Sequence, residues 1–136
     1  MLQRFDDWPR RLNAFIRARQ SQPYVYGVSD CACFAQAAIL EMTGVDVMPG
    51  IVRPTSRIAA ARFLLNGGYG DIDGLATRLL GPPLESVLLA GRGDIISFEA
   101  AGERHLGVVT GHEAATPGEE GILWIPRILW QRGWRV

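Results

Sequence analysis

Pro23–Met42 reads PYVYGVSDCACFAQAAILEM, and the reading of this stretch decides the fold. Its first part carries Tyr24, Tyr26 and Gly27 and has the character of an extended piece and a turn. Asp30 stands where a helix N-cap belongs, and from Cys31 to Met42 the residues are apolar on nearly every side, Gln36 and Glu41 excepted. A helix with almost no polar face belongs at the centre of a domain. Thr43-Gly44 supplies its stop. Cys31 falls in the first turn, where backbone N–H groups without intrahelical partners favour a thiolate, so the same helix offers core and a candidate nucleophile.

Upstream, Asp6 and Asp7 precede Trp8, Pro9, Leu12, Phe15 and Ile16, which predicts an amphipathic first helix with its arginines on the solvated face. Downstream, Val45–Thr55 contains Pro49, Gly50 and Pro54 and reads as a loop. A third helix capped by Ser56 runs through Ile58, Phe63 and Leu65 to Gly67-Gly68. A shorter one spans Ile72 to Leu80 and is broken by Gly81-Pro82-Pro83. Thereafter Asp94–Phe98, His105–Thr110 and Ile122–Ile125 are short β-rich runs between Gly-containing turns. Helices followed by a small antiparallel sheet make the class α+β, with the Cys31 helix packed on the sheet. At 136 residues and 48% hydrophobic content, one domain over 1–136 is expected.

Composition excludes several function classes. Fourteen basic residues balance fourteen acidic ones, so the electrostatic footprint of a general nucleic-acid binder is missing. Every basic residue is Arg, which rules out Schiff-base lysine chemistry and a P-loop lysine. The opening MLQRFDDWPRR has no apolar signal region and no stretch approaches a membrane span, so synthesis as a soluble cytosolic protein without membrane contact is expected. The two cysteines, Cys31 and Cys33, are too few for a disulfide scaffold. Two apart on a helix, they point different ways, so at most one is expected to face a site and Cys33 is read as core. No metal or cofactor is expected.

Three motifs in order carry a resemblance. PYVYGVSDCACF, through Tyr24, Gly27, Asp30 and Cys31, resembles the Y-v-w-G and D-C-S-G signature of the NlpC-like cell-wall peptidases, a superfamily of papain-like fold. GRGDIISF resembles its P-G-D-L-v-f-f strand through Gly93 and Asp94, and HLGVVTG resembles its H-V-G-I-Y-l-G strand through His105, Gly107 and Gly111. The match covers roughly Tyr24 to Gly111. Ala32-Cys33 stands where the superfamily has Ser-Gly, and the loop between Gly27 and Asp30 is shorter than usual. The outline of the chain is most similar to small phage or prophage members associated with tails.

The resemblance implies a cysteine hydrolase that cleaves an amide bond in peptidoglycan peptides, with Cys31 as nucleophile and His105 as base and then acid. The Cys31 backbone N–H and the Tyr24 hydroxyl are the candidates for holding the tetrahedral oxyanion. The residue that orients the imidazole should come from the next strand, near Ala114–Pro117, where Thr116 can hydrogen-bond; His112 and Glu113, a backbone carbonyl or water are alternatives. The physical expectation is a Cys31 thiolate favoured by the helix terminus and protonated His105. Tyr26 reads as packing, His112 as a solvated turn residue, and Arg92-Gly93-Asp94 as a chance tripeptide. A phage tail assembly or structural protein of the same fold with little or no hydrolysis is the alternative function, and a papain-like acyltransferase would use the same residues. Peptidoglycan peptide, and tail proteins, are the partners these readings imply.

Overall fold

The α+β order is realised as four helices followed by five strands in the computed structural model, which describes residues 2–136. The helices are α1 (Trp8–Arg19), α2 (Cys31–Thr43), α3 (Arg57–Asn66) and α4 (Ile72–Leu80), and single 3-10 turns cover Val87–Leu89 and Arg127–Leu129. Helix α2 forms where its sequence demands burial. Asp30 caps it, one carboxylate oxygen accepting from the Cys33 N–H at 2.9 Å and the other from the Gly27 N–H at 2.6 Å. Gly44 ends it with φ 75°, and a Cβ there would lie 2.8 Å from the Phe5 ring, so glycine is required twice over.

The sheet has the order β4-β3-β2-β1-β5, every neighbour antiparallel. Its strands are β1 (Ile95–Ala100), β2 (Glu103–Val109), β3 (Glu113–Gly118), β4 (Gly121–Pro126) and β5 (Arg132–Trp134). Leu12, Phe15, Phe34, Ile39 and Leu75 from the helices meet Ile95, Leu106, Val108 and Trp134 from one face of the sheet in the main core. Side chains alternate along a strand, so Ile96, Phe98, Val109 and Ala114 form a smaller cluster on the other face with Ala90 and Trp130. No helix among the described residues is long and apolar enough to cross a membrane.

Two strands lie outside the three β-rich runs. β3, EAATPG, has little intrinsic strand preference and holds its place by pairing with β4 along its whole length, from Glu113↔Pro126 to Gly118↔Gly121. Pro117 is tolerated because the ladder from β2 stops at Ala115. Glu113 begins the strand, and His112 before it is exposed. β5 is only three residues long and completes the edge beside β1.

Helix α3 also departs from its pattern. It is capped by Ser56 as predicted, yet none of its residues is fully buried, and Ile58 and Leu65 face solvent while Phe63 and Leu64 only lean on the core. The helix is a wall more than a pillar.

Candidate active site

The first turn of α2 opens into a cavity of about 580 Å³, closed by the Tyr24–Tyr26 segment, by α3 and by the start of β2. Cys31 lies on its floor, 7% exposed. The Leu106 and Ala32 backbone N–H groups and the Tyr24 hydroxyl bear on the sulfur. Burial pushes the thiol up to about 11, with the Asp30 charge acting in the same direction, and these outweigh the hydrogen bonds that favour the thiolate. The expected ionised cysteine is thus corrected: desolvation beats the helix terminus, and in this conformation Cys31 is a neutral thiol at pH 7.

Tyr24 lines the cavity beside Cys31. Its hydroxyl lies against the Cys31 backbone N–H, and burial pushes its pKa far above that of a free phenol, so it keeps its proton. Its ring packs edge-on against Tyr26 with centroids 5.2 Å apart. A hydroxyl that accepts from one N–H still has a proton to donate toward a developing negative charge. The two candidate oxyanion groups are therefore adjacent, and the Tyr24 hydroxyl, which also bears on the Tyr26 hydroxyl and the Cys31 sulfur, has to turn toward a substrate oxygen to serve it.

His105 also lines the cavity, but its ring stacks on Phe98, the residue opposite it on β1, with centroids 5.4 Å apart and planes 27° apart. Strand alternation explains the choice. Arg104 and Leu106 project toward α2 and α4, where Arg104 donates to Asp73 at 3.1 and 2.7 Å, so His105 between them leans to the other face. The imidazole is not among the groups that bear most on the thiol. An engaged Cys31–His105 pair requires the ring to turn off Phe98.

Thr116 corrects another expectation. Its hydroxyl donates to the Leu106 carbonyl at 2.8 Å, adding a side-chain rung where the β2–β3 ladder has ended, and it is committed there instead of to the imidazole. Leu106 is then held on one side by Thr116 while its N–H faces the sulfur, so Thr116 acts on the site through the backbone of β2.

Sequence reasoning missed several neighbours. Cys33 borders the cavity as well as Cys31, contrary to the expectation that only one would, because the Val45–Thr55 loop folds back over this flank and brings Met48 and Arg53 to it. Cys33 is nonetheless buried, and burial followed by the nearby Asp30 pushes its thiol up to about 11. Tyr26, Arg53, Arg57 and Glu103 line the same space, the last two as an ion pair across its mouth. Only the apolar-to-loop change at Val45 hinted that this segment does more than connect. Asp94 of the Arg-Gly-Asp tripeptide is wholly buried and unavailable to an outside partner.

No curated protein matches the chain. A family model does, over residues 3–136, and its description is a domain of unknown function, DUF6950. The chain belongs to the DUF6950 family.

Proposed function

We propose that the protein is a papain-like, NlpC-type cysteine hydrolase that cleaves an amide bond, with Cys31 as its nucleophile. The observation that carries the reading is the convergence, in one cavity, of a thiol at a helix N-terminus with an N–H and a tyrosine hydroxyl beside it and a histidine on the adjoining strand. Sulfur attacks the substrate carbonyl as its proton passes to the His105 imidazole, turned off Phe98 for the purpose. The carbonyl oxygen, now negative, is held by the Cys31 N–H and the Tyr24 hydroxyl. The imidazolium protonates the leaving amine, the C–N bond breaks, and water then hydrolyses the acyl thioester with His105 taking its proton.

The resemblance of Tyr24–Cys31, Gly93-Asp94 and His105–Gly111 to the cell-wall peptidases supports peptidoglycan stem peptides as substrate and a phage or prophage setting. A second reading, a tail assembly or structural role on the same fold, is favoured by one feature of the resting site: a neutral thiol in the same cavity as an imidazole that is stacked on Phe98 and not engaged with it. Purified bacterial sacculi separate the two. The wild type should release fragments with new amino termini, and Cys31→Ala and His105→Ala should each abolish release while circular dichroism stays unchanged. A well-folded wild type that releases nothing overturns the hydrolase and favours the structural role.

A further inference from the structure

Three arginines line the cavity, and two of them are neutralised in place. Arg57 pairs with Glu103, and Arg104 makes a two-pronged contact with Asp73. Arg53 has no carboxylate partner among the described residues. It is not loose, however. Its Nη2 donates to the side-chain oxygen of Gln36, a buried residue of α2, whose own amide nitrogen donates to Asp46 at 2.6 Å. Asp46 is fixed in turn by the Met48 N–H at 2.9 Å.

The Gln36 anchor is neutral and holds one corner of the guanidinium, the Cys33 sulfur is the other group the fork bears on, and no carboxylate is bonded to it where it borders the cavity. Asp46 acts on this cation only at a distance, through the Gln36 amide between them, so the fork can still take an anion directly. The planar fork suits a carboxylate, which it can take through two parallel hydrogen bonds. Around it the wall is apolar, with Ile58, Ala61, Leu64 and Leu75 on the α3 and α4 side.

We propose that Arg53 is a specificity residue of this cavity and receives a free carboxylate of the substrate, next to an apolar group that packs on the α3 wall. The inference rests on the reading of Cys31 as nucleophile and adds to it a class of substrate: amides carrying a carboxylate and an aliphatic side chain close to the bond attacked. A merely structural Arg53 would pin the Val45–Thr55 loop to α2 and be indifferent to ligand charge.

Two reagents of matched shape decide it. N-iodoacetyl-leucine carries the carboxylate and the aliphatic group, whereas N-iodoacetyl-leucinamide carries the same group without the charge; with either, a sulfur–carbon bond forms and iodide leaves. Rates of Cys31 labelling, read by peptide mapping, give an acid-to-amide ratio for the wild type, Arg53→Gln and Arg53→Lys, each ratio being its own control. A charge-assisted contact predicts a ratio about tenfold higher in the wild type than in Arg53→Gln, with Arg53→Lys between them and the advantage shrinking in high salt. Equal ratios in the wild type and both variants would overturn the role of Arg53 while leaving the nucleophile in place. If Cys31 of the folded wild type takes neither reagent, nor iodoacetamide at pH 10, the nucleophile reading fails and the substrate class with it.

Discussion

Asp94, just before β1, and Cys31, at the head of α2, are both ionisable and both buried, but their surroundings are built differently. The Asp94 carboxylate takes hydrogen bonds from Arg4 at 2.9 Å and Arg135 at 2.8 Å, and from the Gly91 and Val136 N–H groups at 2.9 and 3.0 Å. Arg4 also donates to the Val136 and Arg92 carbonyls, so one carboxylate gathers residues from both ends of the chain. Cys31 has no charged partner of opposite sign among the groups that bear on it, and it borders open space. A buried carboxylate bonded on every side is part of the fold's framework, and removing it breaks several contacts at once. A buried neutral thiol beside a cavity can change its state when something enters.

The largest effect expected from this contrast is at Asp94. Asp94→Ala strands two arginines and two N–H groups, and removing one partner of a buried ion pair costs roughly 3–5 kcal/mol. Urea unfolding measures the loss. The folded fraction should still alkylate at Cys31 with the wild-type dependence on pH, since Asp94 is not among the groups that act on the sulfur. A loss below about 1 kcal/mol would mean that the arginines are satisfied by water, as at an ordinary surface pair.

At Cys31 the expected effect is somewhat smaller and confined to alkaline pH. The folded thiol is raised to about 11, above the ordinary value of about 8.5 in an unfolded chain. The raised value means that the folded state keeps its proton longer: the stabilisation is complete below about 8.5 and is lost as pH rises through 11, a total of about 3 kcal/mol. Urea midpoints at pH 8 and pH 10.5 should differ by less in Cys31→Ala than in the wild type, with Cys33 supplying part of the drop that remains. His105→Ala should leave the alkylation profile of resting Cys31 nearly unmoved, because the ring rests on Phe98, while abolishing turnover. A profile displaced to higher pH by His105→Ala would show that the imidazole engages the thiol without substrate.

The same contrast shows what a sequence can and cannot reveal. Helix α2 was legible because its apolar run, its Asp30 cap and its Gly44 stop agree, and α4 emerges over Ile72–Leu80 as its Gly-Pro-Pro break requires. β3 was legible only through the resemblance, which implied a next strand near Ala114–Pro117, because Ala-Ala-Thr-Pro-Gly by itself becomes a strand only through β4 beside it. In the site, Cys31, Tyr24 and His105 could be chosen by residue type and motif order, and one cavity contains all of them. The ionisation of Cys31 could not be foreseen, since burial of the sulfur depends on residues remote in the chain. Nor could Arg53, whose position depends on the path of a loop without periodicity and on Gln36, a polar residue in an otherwise apolar helix.

The smallest effect is at Thr116 and tests whether the two regions are as separate as their surroundings suggest. Thr116→Val keeps the shape and removes the hydroxyl that donates to the Leu106 carbonyl, so a buried acceptor loses its side-chain partner at a cost of about 1–2 kcal/mol. That is less than the loss at Asp94, because no charge is stranded. It falls, however, on the peptide whose N–H faces the Cys31 sulfur, at the point where β2 has run beyond its ladder with β3. Loosening this edge weakens the strongest of the hydrogen bonds that favour the thiolate, so the alkylation profile of Cys31 should move to higher pH. Asp94→Ala should show the reverse pairing, a large stability loss with an unmoved profile. Measuring both quantities on both variants separates the regions, and a Thr116→Val profile identical to the wild type would place Leu106 outside the electrostatics of the thiol.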